Sequence, residues 1–396
     1  MDAANHLVAA RRARWAVAAL FLGNGFMVGS WAPHIPLLVG RLEISAGVLG
    51  ILIFFFGVGA LVSMPFAGWL MSRFGQKPVL RFFALMQGLG LLLVELSPAV
   101  PVAALAMAFF GASIGCTDVA MNASTVTVER QLGKAVMSSM HGFWSLGGFA
   151  GGALGGLLIK TVGVLPHAVI VAVLVVGVGF LIRPLFIETD EKAAATAGNA
   201  TRSSGFPRQP ILYILGLLAL FCFVSEGVVL DWAALYLTRE LGSDVAVAGL
   251  AYAFFAGAMA LMRFAGDGVR NRFGAVPTMR ASALVAGLAM LAASLAPMPW
   301  LVIAAFAVCG LGVANTVPII FSAAGNQPGV SSAAGMSVAT TMGYAGILLA
   351  PGSIGFVGDH VGFAPVFAAM AALLFVVFLA SPLTRSADSD HGGAGH

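Results

Sequence analysis

Twelve runs of predominantly apolar residues divide the chain, at about 15–39, 46–71, 79–97, 101–126, 136–160, 164–186, 211–237, 245–266, 277–296, 299–322, 330–353 and 362–381. A helix of about 20 such residues matches the hydrocarbon thickness of a bilayer. It also satisfies its own backbone hydrogen bonds where no water is at hand. Charged residues make up only 9% of 396, and the mean hydropathy is +0.98; soluble domains carry roughly 25% charge. The expected solvent is lipid, and the expected fold is an all-α membrane protein of twelve transmembrane helices.

The runs fall into two sets of six. Arg73-Phe74-Gly75 and Pro78 recur as Arg272-Phe273-Gly274 and Pro277, an offset of 199 residues. The same offset carries Gly50 onto Gly249, Phe55-Phe56 onto Phe254-Phe255, Gly111 onto Gly310 and Gly147 onto Gly346. A period of half the chain marks duplication rather than a solenoid of short repeats. Two parallel halves related by an axis along the membrane normal are a transporter signature. The expected organisation is a six-helix bundle over 1–186, a polar linker over 187–210, a second six-helix bundle over 211–385, and a disordered tail over 386–396.

Placing both termini and the linker on the cytoplasmic side puts sixteen Lys and Arg residues inside and three, Arg41, Lys160 and Arg239, outside. That bias sets the expected orientation. The net charge of +4 comes from residues scattered between apolar runs, which is not the stripe a nucleic acid needs. Arg11-Arg12-Ala13-Arg14 precedes a span-length run and reads as the start of a retained first helix, not a cleaved leader. Cys116, Cys222 and Cys309 have no metal-ligand spacing and read as small buried apolar groups. There is no G-x-x-x-x-G-K-[ST] loop to drive ATP-powered transport. No catalytic constellation stands out either, so an intramembrane enzyme is the least favoured class.

The basic loop between spans 2 and 3, repeated between spans 8 and 9, resembles that of the major facilitator superfamily. Gly68, Arg73, Gly75 and Lys77 match the family's Gly-x-x-x-Asp-Arg-x-Gly-Arg-Lys pattern. Ser72 replaces its acid and Gln76 one base; in the second copy Asn271 takes the acid's place and Asp267 lies upstream. The stretches DVAMNA, MHGFWSLGG, SEGVVLDWAALYL, RFAGDGVRNRFG and GLGVANTVP are similar to the branch that holds fucose-permease-like and rhizopine-locus membrane proteins. The resemblance implies the major facilitator fold, two bundles with pseudo-two-fold symmetry, and alternating access. It also implies that spans 1, 4, 7 and 10 line the path, which favours Asn24, Asp118, Glu226 and Asn315 by position, with Arg73 and Arg272 in gating loops.

An ionisable group inside a span costs about 2.5–3.5 kcal/mol or more at mid-depth, so each requires a reason. Asp118 and Asn122 are four apart, hence on one helical face. They read as a proton-binding carboxylate beside an amide for a hydroxyl-bearing solute, as a polar clamp between helices, or as the start of the cytoplasmic loop. His141, with Trp144 nearly a turn on, reads as a relay, a substrate contact or a packed group. Glu226 and Asp231 in span 7 point about 140° apart, so one shared site is not expected. Glu226 is the better path candidate; Asp231 is expected to pair with Arg239 or to gate. Arg263 and Asp267, again four apart, read as an intrahelical ion pair. Uncharged candidates are Asn24, Trp31, Asn315, Thr316 and Tyr344, of which Trp31 and Tyr344 read equally well as core aromatics.

These observations describe a secondary transporter in a bacterial cytoplasmic membrane, monomeric and without metal or cofactor. Its partners would be a small solute, protons and the bilayer, with no nucleic acid. Protonatable Asp118 and Glu226, helped by His141, would couple transport to a proton gradient. The resemblance points to a sugar-like or cyclitol-like polar solute. The Phe- and Met-rich spans leave open efflux of an amphiphile, and a non-transporting sensor is a third reading.

Overall fold

A computed structural model describes residues 2–74, 76–132, 136–181, 209–328, 330 and 332–391. Residues 187–208 of the expected linker lie outside the described residues. The first part comprises α1 (Asp2–Trp31), α2 (Ile35–Leu42), α3 (Ala46–Phe74), α4 (Gln76–Leu96), α5 (Val100–Leu132), α6 (Met137–Val162) and α7 (Val164–Leu181). The second comprises α8 (Pro210–Arg239), α9 (Val245–Phe273), α10 (Ala275–Leu295), α11 (Pro299–Val313), α12 (Thr316–Gly325), α13 (Ser332–Val361) and α14 (Phe363–Ala380), then a 3-10 helix over Ser381–His391. Twelve helical stretches among the described residues are long and apolar enough to cross a membrane.

Among the described residues, two spans are interrupted. In the first, a 3-10 turn over Ala32–His34 separates α1 from α2, because Pro33 and Pro36 remove backbone donors and their rings crowd the preceding turn. In the tenth, the break falls at Ala314–Asn315, and the Thr316 hydroxyl donates back to the Val313 carbonyl at 2.7 Å. Pro318, four residues after Ala314, has no amide hydrogen to return to the Ala314 carbonyl, so the sequence carried a sign of that break.

The chain divides into two compact units, Met1–Ile44 with Ile51–Ser203, and Ser45–Gly50 with Ser204–His396. Element by element, the second follows the first at an offset of 199. The bounds of α3 and α9, of α4 and α10, and of α7 and α14 correspond residue for residue, as do the first residues of α5 and α11. Backbone conformation follows too: Gly163 and Gly362 have φ of 96° and 86°, and Glu43 and Gly242 have φ of 52° and 65°.

Close helix approach at glycines builds each unit. In the first, a Cβ on Gly25, Gly29, Gly147 or Gly151 would run into backbone across the α1–α6 contact, and one on Gly111 into the carbonyl of Phe56 on α3. In the second, Gly310 meets the carbonyl of Phe255 in the same way, 199 residues on. Lipid offers no hydrophobic drive to pair apolar helices, so close packing at small residues must supply the attraction. Ala16, Phe21, Leu80, Ala120, Met121 and Met140 form part of the first unit's interior. Leu212, Leu215, Met279, Ile319 and Ile320 form part of the second's. Large apolar side chains such as Leu105, Leu181, Leu261 and Leu379 face outward, as a lipid-facing surface requires.

The end of the chain differs from expectation. Residues 386–388, assigned above to a disordered tail, are docked on the second unit. Ala387 is buried, Ser386 donates to the Ala323 carbonyl at 2.9 Å, and Arg270 donates to the Ala387 carbonyl at 2.6 Å. The Asp388 carboxylate accepts from the amide of Ala275 at 2.7 Å and so caps the start of α10. A short acidic segment without apolar content gave no hint that helix-end donors awaited it.

Candidate functional site

In the first unit, Asp118 sits half-buried on α5, and the Asn122 side chain donates to its backbone carbonyl at 2.9 Å. The two share a helical face, as their spacing requires. Among the described residues no cation lies within ion-pair distance of Asp118. Asn24 is engaged at both ends: its amide nitrogen donates to Gln87 Oε1 at 3.0 Å, and its Oδ1 accepts from Trp144 Nε1 at 2.8 Å. That pair of bonds ties α1 to α4 and α6. Both Asn24 and Gln87 are buried, so Asn24 acts here as a three-helix clamp and holds the indole of Trp144 in place. Gln87 was not singled out from sequence, although it is an amide inside an apolar run. His141 packs edge to face on Phe21 of α1, with ring centres 5.2 Å apart. Trp31 is buried in the core.

In the second unit, Arg263 pairs with Glu226, on the neighbouring helix α8, at 3.5 Å. The expected four-residue pair with Asp267 falls on a side chain outside the described residues. An arginine on α9 reaches across a close helix contact as readily as along its own helix, and a partner inside the unit is less exposed to solvent screening. Both side chains are only about one-fifth accessible, at 17% and 21%. Tyr252 of α9, buried, lies within electrostatic reach of Glu226, Arg263 and Asp231. Arg239 pairs with Asp359 of α13 at 3.3 Å instead of with Asp231. Asn315, buried at the break between α11 and α12, lies against Gly266 of α9, where a Cβ would strike its Oδ1. The Tyr344 ring packs on Phe223 of α8 at 5.4 Å.

The arginine–phenylalanine contact repeats at the end of the helix before each basic loop. The guanidinium of Arg73 lies 5.7 Å from the ring centre of Phe74, and that of Arg272 lies 5.5 Å from Phe273. Both arginines are exposed at the ends of equivalent helices, α3 and α9.

The sequence matches the Major Facilitator Superfamily profile over residues 15–351 and 215–394. The chain belongs to the Major Facilitator Superfamily. It is 34% identical over 367 residues to an uncharacterized MFS-type transporter of Yersinia pestis, covering 90% of this chain and 92% of that one. It is 31% identical over 365 residues to the membrane protein MosC of Rhizobium meliloti, covering 91% and 86%. Among solved structures, the fold is similar to that of the nucleoside transporter NupG, with a TM-score of 0.72 at 14% identity, covering 94% of this chain and 98% of that one. It is also similar to a bacterial homolog of the human lysosomal transporter Spinster, with a TM-score of 0.67 at 15% identity, covering 95% and 96%. The chain is thus a multi-pass secondary transporter of the superfamily, not an enzyme, with bacterial relatives.

Within a Major Facilitator Superfamily protein, the arrangement includes the half-buried carboxylate of Asp118 in the first unit and the ion-paired carboxylate of Glu226 in the second. The polar groups that sequence reading missed are Gln87, Tyr252, and the buried His34, Glu95 and His167. The last three lie inside the apolar runs at 15–39, 79–97 and 164–186, so charge within a run was signal enough to find them.

Proposed function

We propose that this transporter moves a small polar solute by alternating access, coupled to protons through Asp118. The observation that carries the reading is the Asp118 carboxylate: it lies within a span, is half-buried, has Asn122 on the same face, and has no cation beside it among the described residues. A proton neutralises such a group at less cost than a permanent charge inside the membrane. Glu226 is the second proton candidate, with Arg263 as a partner that would take up its charge when it is deprotonated. His141, Trp144, Asn315 and Tyr344 are the accompanying candidates for solute or proton contact. The branch resemblance supports a sugar-like or cyclitol-like solute, and the sixteen-to-three distribution of basic residues supports cytoplasmic termini in a bacterial inner membrane.

Asp118→Asn tests the reading, because it keeps shape and hydrogen bonding but removes the titrating proton. A thermal-shift screen of sugars and cyclitols on purified protein first supplies a substrate; a ligand at 100 times its Kd adds about 2.7 kcal/mol of stability. In liposomes, the variant is expected to keep substrate exchange and to lose accumulation driven by an imposed pH step. Wild-type accumulation in Asp118→Asn would rule out this role and move the test to Glu226.

A further inference from the structure

A second set of protonatable groups lies entirely within the first unit. His34 Nδ1 is 2.7 Å from Glu95 Oε1, and His34 Nε2 is 2.7 Å from His167 Nδ1. Three helix ends bring them together: the proline-broken end of α1, the last turn of α4, and the first turn of α7, which follows Gly163 at φ 96°. His34 and His167 are wholly buried and Glu95 nearly so. Arg41 of α2 faces the other carboxylate oxygen at 3.9 Å and donates to the carbonyls of Val94 and Ser97. Among the described residues of the first unit, the remaining charged groups at this end are Glu43 beyond α2 and Lys160 in the last turn of α6, both exposed. From α6, Gly155 faces His167, where a Cβ would stand 3.5 Å from Nε2.

Hydrogen-bond accounting constrains this chain of groups. Glu95 as a carboxylate can only accept, so His34 Nδ1 carries a proton. The contact between His34 Nε2 and His167 Nδ1 needs one proton between two nitrogens. Without an added proton, His167 Nδ1–H donates to His34 Nε2, and His167 Nε2 is a bare lone pair. That nitrogen is buried and has no hydrogen-bond partner among the described residues. A buried polar atom without a partner calls for an explanation.

We propose that Glu95, His34 and His167 form a one-proton binding site and relay, with His167 Nε2 as its point of entry. A proton bound at His167 Nε2 makes that ring an imidazolium. Its Nδ1 proton then passes along the existing hydrogen bond to His34 Nε2. The products are neutral His167 protonated at Nε2 and an imidazolium at His34 against the Glu95 carboxylate. One proton enters, the N–H···N bond reverses direction, and every other hydrogen bond survives. The positive charge ends beside a carboxylate at 2.7 Å, the arrangement that best offsets burial of an ion. This site is separate from Asp118 and does not depend on transport being proton-driven.

The test uses the full-length protein in nanodiscs with ¹⁵N-labelled histidine, titrated between about pH 5 and pH 8. His34 and His167 identify themselves through nitrogen–nitrogen coupling across their shared hydrogen bond. On acidification, one ring of the coupled pair is expected to become imidazolium while the other exchanges Nδ1–H for Nε2–H, in one concerted step. In Glu95→Gln, which keeps an acceptor for His34 Nδ1 but not the charge, the imidazolium at His34 should be lost at the same pH. Rings that keep one tautomer across the range would overturn the proposal, as would equal titration in wild type and Glu95→Gln. Absence of the coupling would refute the shared proton itself.

Discussion

Gly111 and Gly177 make opposite predictions for the same substitution. A Cβ on Gly111 would lie 2.6 Å from the carbonyl carbon of Phe56 and 2.9 Å from its Cα, whereas nothing lies within 4 Å of one on Gly177. Carbon atoms sit comfortably at about 3.5–4.0 Å, and both obstacles are backbone, so α3 and α5 must part by about 1 Å. Overpacking of that kind costs about 1–3 kcal/mol, partly offset by the helix preference for alanine over glycine, about 0.5–1 kcal/mol. Gly111→Ala should therefore destabilise by about 1–2 kcal/mol, and Gly177→Ala should stabilise by about 0.5–1 kcal/mol. At Gly310 the corresponding carbons are 3.0 and 3.2 Å away, so Gly310→Ala should cost less than Gly111→Ala. The buried free thiols provide the assay, with Cys116 in the first unit and Cys222 and Cys309 in the second. A thiol-reactive fluorophore in a thermal ramp reports when each becomes exposed. For units of this size, 1 kcal/mol moves Tm by about 2–4 °C. Gly111→Ala should bring Cys116 exposure down by several degrees, and Gly177→Ala should not. Equal shifts of one sign in both variants would refute the close-approach argument.

Three further outcomes follow from other parts of the chain. A double-mutant cycle on Glu226→Gln and Arg263→Gln, read by thermal unfolding, should give a coupling of about 0.5–3 kcal/mol; additivity would mean that the 3.5 Å pair contributes nothing. Glu43→Gly should stabilise by about 1 kcal/mol, because Glu43 holds φ 52° where its counterpart is Gly242 and a side chain there is strained; an unchanged or lower Tm would remove that explanation. Cysteines placed at Thr201 and Lys160, in a background without native thiols, should label from opposite sides of the membrane. Equal access from outside would reverse the proposed orientation.

Much of the architecture was legible without coordinates. Lipid as solvent leaves a long apolar run one regular option, a self-bonded helix, so the twelve spans follow from hydropathy alone. The duplication was legible because helix ends and close-packed glycines repeat wherever backbone geometry repeats: Gly111 and Gly310 recur because each meets a carbonyl. Helical spacing likewise put Asp118 and Asn122 on one face. What spacing could not decide was which helix faces which. Nothing in the spacing of Arg263 pointed to its pairing with Glu226 on another helix. Asn24 looked available until Gln87 and Trp144 occupied both ends of its amide. His34, Glu95 and His167, separated by 61 and 133 residues, became one hydrogen-bonded chain only when three helix ends converged. Local pattern sets the period of a helix and the solvent it tolerates, but partners across helices depend on rotation and register, which packing of the whole unit determines.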